Sequence, residues 1–207
     1  MGLIHTYTGS GKAKTTSAMG LIFRAIGRNK KILLIQFLKG SETSDTFYGE
    51  LIVGKKFSDN LKIYQSHDKY KVVLENNKTD DDKNRVAHVW DILQQELTNG
   101  YDMIVLDEIL PTLCLRLLSK RKFFKFIQEI KHMKDSPELV LTGRIWVTDV
   151  YDRIKGISDY MSDVRAVKHP FNKHCPFCKR EFEWRSNFCP NCGHELISVP
   201  AREGIEY

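Results

Sequence analysis

The segment Gly9-Ser10-Gly11-Lys12-Ala13-Lys14-Thr15-Thr16 lies between a short apolar run, residues 3–7, and a stretch with Met19, Ile22, Phe23 and Ile26 at the spacing of one buried helix face. Strand, glycine-rich turn and helix in that order leave a chain few folds. The strand belongs in a sheet, and the turn emerges at its carboxyl edge with the helix packed back over the face. Small residues let such a turn close into a concavity whose main-chain N–H groups all point inward at an anion. Lysine adds a point charge, threonine a hydroxyl for Mg²⁺, and the helix N-terminus partial positive charge. Against G-x-x-x-x-G-K-[ST], Lys14 and Thr15 fill the last two positions, while Thr8 and Ala13 stand where the glycines belong. The expected ligand is a nucleoside triphosphate, held by Gly9, Ser10, Gly11, Lys12, Ala13, Lys14, Thr15 and Thr16.

Apolar runs of strand length recur at 31–37, 61–65, 103–106, 139–142 and 160–167, and helical patterns at 14–27, 81–98, 111–118, 122–133 and 148–157. Such alternation predicts an α/β fold with a mostly parallel sheet flanked by helices, of the P-loop NTPase kind. Segments 39–60 and 66–82 are polar and irregular and read as binding loops or lids.

A second cluster of candidate residues closes this sheet. Asp102-Met103-Ile104-Val105-Leu106-Asp107-Glu108 is an apolar strand ending in two carboxylates. Beside a phosphate loop, one such acid holds Mg²⁺ directly or through water and the other orients a reactant. Thr142-Gly143-Arg144 ends the next strand, where a glycine and an arginine suit close approach to an anion; a plain turn is the competing reading.

Cys175-x2-Cys178 and Cys189-x2-Cys192, ten residues apart, have the spacing of two knuckles around one tetrahedral Zn²⁺. Pro176 and Pro190 preset the turns, and Gly193 allows a positive φ after the second pair. Four thiolates leave no open position, so the metal is expected to be structural, with His174 and His194 as unneeded substitutes. Cys114, inside an apolar run, reads as a small buried hydrophobe. Phe177, Phe182, Trp184 and Phe188 alternate with Lys179, Arg180 and Arg185. In so small a module these aromatics are expected to form its own core.

The 207 residues carry a formal net charge of +6, with lysines scattered rather than striped, so nucleic acid is not an expected partner. There is no apolar run of about 18 residues and no secretory leader, so neither a membrane span nor export is expected and the cytosol is the expected compartment.

Taken in order, Gly9 to Thr16, Arg24-Ala25-Ile26-Gly27, Gln36-Phe37-Leu38-Lys39-Gly40, Val105-Leu106-Asp107-Glu108, Leu141-Thr142-Gly143-Arg144, Lys168-His169-Pro170-Phe171 and Gly204-Ile205-Glu206-Tyr207 resemble the P-loop ATP:corrinoid adenosyltransferases. The resemblance implies domains at 1–171 (nucleotide binding), 172–199 (an inserted zinc ribbon) and 200–207 (a tail returning to the main domain). It implies transfer of the 5′-deoxyadenosyl group of ATP to the cobalt(I) of a corrinoid, with release of triphosphate. Lys14 and Glu108 are then the catalytic residues and Arg144 joins the ATP-binding set. Thr15 and Glu108 hold Mg²⁺, with Asp107 beside them. A flavoprotein reductase and a second copy of the chain are the implied partners.

The chain departs from the family at Ala13, at Leu110-Pro111 after the acidic pair, and in the loop before Asn84-Arg85, which lacks tryptophan and phenylalanine. Two other readings use the same residues. A type II thymidine kinase-like enzyme combines a P-loop, an Asp-Glu strand end and a four-cysteine element, with Glu108 as base. A non-catalytic ATP-binding module would use the ribbon aromatics to engage a partner.

Overall fold

The computed structural model describes residues 2–40, 49–68, 73–166, 173–182 and 188–197. The Lys168–Phe171 element, Trp184, Arg185 and the C-terminal tail, all singled out above, lie outside these residues, as do the side chains of His174 and Phe182.

Six parallel strands form one sheet in the order β3-β2-β4-β5-β1-β6. They are β1 (Ile4–Thr8), β2 (Ile32–Gln36), β3 (Leu61–Gln65), β4 (Met103–Asp107), β5 (Glu138–Thr142) and β6 (Tyr160–Asp163). The helices are α1 (Lys14–Ile26), α2 (Gly49–Lys56), α3 (Asp80–Glu96), α4 (Ile109–Cys114), α5 (Lys120–His132) and α6 (Thr148–Ile157). Every residue of β2 and of β4 is buried. That is why both read as unbroken apolar runs: a central parallel strand has a helix layer over each face.

The period of two assigns their side chains to separate cores. Ile32, Leu34, Met103, Val105 and Val140 meet Ala18, Ile22 and Ile26 of α1 on one face. Leu33, Ile35, Ile104, Leu106 and Leu141 meet Trp90, Leu93, Phe123 and Ile127 of α3 and α5 on the other. Trp90 is 1% exposed and packs against Phe37, Phe123 and Phe126, the last edge-on at 5.2 Å.

Several boundaries differ from the sequence reading. Phe23, expected on the buried face of α1, is 70% exposed. The true stripe is Ala18, Ile22 and Ile26, an i, i+4 row from which Phe23 is rotated about 100°. Strand β6 ends at Asp163 rather than 167, because the chain beyond it bonds to the glycine loop: Gly11 N–H donates to the Val164 carbonyl at 2.7 Å. Helix α4 starts before Pro111 and stops by Arg116, which takes φ +59°. Helix α2 falls within 39–60, read above as irregular.

Helix α3 begins on a reciprocal cap. The Thr79 hydroxyl accepts from Asp82 N–H, and the Asp82 carboxylate accepts from Thr79 N–H. A two-stranded antiparallel ribbon, β7 (Lys173–His174) with β8 (Glu181–Phe182), accompanies the cysteine knuckles. Among the described residues no helix is long and apolar enough to cross a membrane.

Replacing Trp90 with alanine empties the junction of α3, α5 and β2. The Trp90→Ala protein is expected to lose about 3–5 kcal/mol of stability, read as a lowered denaturant midpoint at unchanged m; a loss below about 1 kcal/mol would contradict this packing.

Candidate active site

The register of the sheet aligns the carboxyl ends of its strands. Gln36 pairs with both Gln65 and Asp107, and Tyr7 with Thr142. At the centre of this edge lies the Asp107 carboxylate, fully buried. Its Oδ1 accepts from the Thr15 hydroxyl at 2.9 Å and the Thr142 hydroxyl at 2.5 Å. Its Oδ2 accepts from Lys39 Nζ at 2.8 Å and Gln36 Nε2 at 3.2 Å. Burial alone would push this carboxyl up; the Lys39 charge and the hydroxyls of Thr142 and Thr15 hold it below the ordinary carboxylate range.

Glu108 behaves oppositely. Burial, and then the neighbouring Asp107 charge, raise its carboxyl. Its backbone is left-handed at φ +58°, and its N–H donates to Thr142 Oγ1 at 3.0 Å. Among the described residues its carboxylate has no hydrogen-bond partner, so its lone pairs remain available to a ligand.

The glycine loop is held against the end of β6. A Cβ on Gly9, at φ +107°, would lie 2.4 Å from the Val164 carbonyl, so no side chain fits there. Ala13 takes φ +93°, the conformation a glycine usually supplies at this point of the motif. The methyl is thus accommodated by strain rather than by a change of loop shape. The Gly11 amide donates to Val164 and is not aimed into the concavity, so the expectation that every loop N–H faces the ligand does not hold here. The tight packing of Gly11 on Arg165 fixes that orientation.

Lys14 opens α1, and its ammonium reaches back to the Gly11 carbonyl at 2.5 Å. Burial lowers its pKa, with Arg144 adding to the effect and Glu108 and Asp107 opposing it. Arg144 is exposed and donates to the Ser10 carbonyl at 2.7 Å, tying the end of β5 to the loop. Gly143, at φ +124°, cannot carry a Cβ, which would sit 2.2 Å from Pro111 Cδ. Lys12 in the loop and Thr16 in the first turn of α1 are exposed.

Chemical reading of the sequence assigned no role to Lys39, Gln36, Thr142 or Glu50. Lys39 follows Leu38, whose φ of +56° turns the chain back so that the ammonium meets Asp107. Burial opposes its charge, yet Asp107, then Glu108 and Glu50, hold its pKa above the ordinary lysine value. The available signal was positional: Gln36 and Thr142 end strands beside Asp107. Glu50 rides on α2, which gave no helical signal.

The Sγ atoms of Cys175, Cys178, Cys189 and Cys192 lie within 4.8 Å of one another. The two knuckles are equivalent, with Lys179 N–H on the Cys175 carbonyl at 3.0 Å and Gly193 N–H on the Cys189 carbonyl at 2.8 Å. The residue after each second cysteine is left-handed, Lys179 at φ +59° and Gly193 at φ +73°. The Cys178 N–H on its sulfur holds the Cys175 thiol down to about 6, favouring the thiolate. Burial and its sulfur neighbours push the Cys192 thiol the other way, up to about 12; as a set of four sulfurs the cluster matches the donor set of a tetrahedral Zn²⁺. His194 instead stacks on Phe177 at 4.6 Å. Phe177 and Phe188, expected in the module's core, are 72% and 64% exposed. Among the described residues the buried centre is Cys175, Cys189 and Leu196, with Cys178 and Cys192 packed against it. Cys114 is buried as expected.

Residues 1–180 match the family described as ATP:corrinoid adenosyltransferase BtuR/CobO/CobP. The chain is 28% identical over 178 residues to the corrinoid adenosyltransferase of Escherichia coli K12, covering 83% of this chain and 80% of that protein. The same figures hold for corrinoid adenosyltransferase CobA of Salmonella typhimurium LT2. An uncharacterized Nostoc protein is 28% identical over 82% of this chain, but the match spans only 45% of that longer protein.

Strain at Ala13 makes a signed prediction. Ala13→Gly is expected to raise stability by about 0.5 kcal/mol, the relief of about 1–2 kcal/mol less the added chain entropy of glycine. Gly9→Ala is expected to cost about 2 kcal/mol or more. Denaturant midpoints check both, and a destabilised Ala13→Gly protein would contradict the strained geometry.

Proposed function

The chain belongs to the ATP:corrinoid adenosyltransferase family, and from that premise we propose that it moves the 5′-deoxyadenosyl group of ATP onto the cobalt(I) of a corrinoid and releases triphosphate. The observation carrying this reading is the loop between β1 and α1, whose Thr15 hydroxyl is bonded to the buried Asp107 while Lys14 stands at the rim. That arrangement supports binding of a polyphosphate with its metal, as the first half of the reaction requires.

The chain's own groups then do three things. Loop amides, Lys14 and Arg144 surround the triphosphate and neutralise the charge that grows as the C5′–O bond breaks, more strongly in the transition state than before it. The N-terminus of α1 adds its partial charge to the same oxygens. The walls fix the ribose C5′ in line with its attacker, so that positioning replaces acid–base chemistry. No general base is called for, because the nucleophile is an electron-rich metal centre. The bond formed is cobalt–carbon, the bond broken is C5′–O, and the pair from the broken bond leaves on the triphosphate.

Mg²⁺ fits the oxygen donors of Thr15, Glu108 and Asp107, and when bound supplies charge to the leaving group. In this reading Thr15 and Glu108 are its direct ligands and Asp107 orients Thr15. Zn²⁺ fits the four cysteines, where it would act as a structural staple for residues 172–199. A cytosolic setting, a second copy of the chain and a flavoprotein reductant complete the reading, the last because cobalt(I) must be generated by reduction.

The decisive test combines purified protein, ATP, Mg²⁺ and a chemically reduced corrinoid without oxygen. The expected products are a cobalt–carbon bond and intact triphosphate; ADP with a phosphorylated nucleoside would overturn the proposal in favour of a kinase. Lys14→Ala is expected to weaken ATP binding at least about 100-fold, from loss of a partly buried charge contact, measured by calorimetry. Wild-type affinity in that variant would remove the loop from the site.

Metal analysis tests the ribbon separately. About one zinc per chain is expected, and Cys175→Ser should lose it and lower thermal stability while leaving ATP affinity intact. A zinc-free wild-type protein, or a Cys175→Ser variant that unfolds no earlier, would contradict the structural role.

A further inference from the structure

Thr15, Asp107 and Lys39 form a closed ring. The Thr15 hydroxyl gives its proton to Asp107 Oδ1 at 2.9 Å, and Thr15 Oγ1 itself accepts from Lys39 Nζ at 3.3 Å. The ammonium also contacts Asp107 Oδ2 at 2.8 Å and faces Glu50 at 3.9 Å. The hydroxyl is therefore already oriented as a metal ligand would be, with its proton directed to the carboxylate and a lone pair facing a cation. That cation is the lysine.

We propose that Lys39 is the built-in counter-cation of the metal site, holding Thr15 and Asp107 in register in the free protein and giving up that place when the metal arrives with its nucleotide. This inference rests on the reading of Thr15 as a metal ligand. A metal on the Thr15 oxygen stands about 2.1 Å from it, within reach of the ammonium already bonded to the same atom. A divalent ion there would stand about 4–5 Å from the ammonium, and repulsion between the two cations at that distance favours withdrawal of the lysine head.

The backbone that carries Lys39 stays where it is. Leu38 N–H donates to Ser66 Oγ at 2.9 Å, and His67 N–H donates to the Lys39 carbonyl at 3.0 Å. A Cβ on Gly40 would lie 2.1 Å from the His67 carbonyl, so the turn is pressed against β3's exit. His67 in turn bonds Asp82, the first-turn carboxylate that completes the cap of α3, at 3.0 Å. Only the flexible four-carbon stem is left to move, toward Glu50 or toward phosphate oxygens.

The arrangement has a functional consequence. Metal alone must displace a well-held ammonium with no new anion to receive it, whereas metal with triphosphate brings that anion along. Metal and nucleotide therefore bind with positive coupling, and Lys39 is a source of it.

Titration of Mn²⁺ followed by its electron paramagnetic resonance tests this on the full chain, with and without ATP. Lys39→Gln keeps a hydrogen-bond donor for Asp107 but removes the charge; it is expected to bind Mn²⁺ alone about tenfold tighter than wild type and to show weaker coupling to ATP. Lys39→Arg is expected to bind it as weakly as wild type. Binding of Mn²⁺ in the presence of ATP with no gain in Lys39→Gln would overturn this role alone. No Mn²⁺ binding with ATP in any form would overturn the metal-site reading itself, and this inference with it. Wild-type crystals soaked in Mn²⁺ and ATP give a readout free of any folding defect: the expected result is anomalous density at Thr15 with the Lys39 ammonium withdrawn from Asp107. Density there with that ion pair unbroken would overturn the proposal.

Discussion

The carboxylate of Asp107 is the constraint around which the catalytic edge is arranged. A fully buried charge is tolerated only when it is paired and its lone pairs are filled. Here the four donors come from four places in the chain: Thr15 from α1, Gln36 from β2, Lys39 from the turn after it, and Thr142 from β5. While no cation replaces them, none can shift without leaving the buried charge underpaired. The loop, three strand ends and a lysine turn are thereby locked to one another before any ligand binds. A second carboxylate one residue on, Glu108, has no hydrogen-bond partner among the described residues and a raised pKa. One acid organises the site, and its neighbour remains available to a ligand.

Strain gathers at the same edge. Gly9, Ala13, Leu38, Glu108 and Gly143 all take positive φ, and three of them are not glycine. Each such residue costs about 1–2 kcal/mol, which the buried hydrogen bonds around Asp107 offset. The geometry explains each case separately. Leu38 turns Lys39 inward, Glu108 turns its N–H toward Thr142, and Ala13 closes the loop onto α1. At this edge the strain aims side chains and amides, whereas Asn29, Arg116 and Lys179 take positive φ in exposed turns elsewhere.

Most of the scaffold was legible from the sequence, because β2 and β4 are continuous apolar runs and segments of helical period alternate with them. The order of strands across the sheet was not legible, since alternation fixes parallel pairing but not which neighbour each strand takes. Helix α2 was missed because Gly49 and Gly54 bracket a segment without a clean apolar stripe; Gly54 is buried against Ile63, so smallness and not hydrophobicity marks its inner face. Lys39 was visible as part of a family motif but not as a partner of Asp107, since a left-handed leucine cannot be read from residue types. The ribbon misled in the other direction. Aromatics in a short module suggest a core, yet among the described residues its centre is made of cysteines and Leu196, and Phe177 and Phe188 are exposed.

The charges at the edge bear on what the site can accept. Asp107, Glu108 and Glu50 face Lys14, Lys39 and Arg144, so the free cluster is close to neutral. A metal–triphosphate complex is still an anion, and nothing in a balanced cluster would attract it strongly. The surplus must come from groups that carry no formal charge: the remaining loop amides and the positive end of α1. Those dipoles are already oriented by the packing of Gly9 and Gly11 on residues 163–165, so they stabilise the anion without reorganising. Balance among the ions keeps the empty site folded, and in the proposed reading the fixed dipoles supply its preference for polyphosphate. The leaving group of the proposed reaction is the most highly charged species the site ever holds, which places the largest stabilisation where the C5′–O bond breaks.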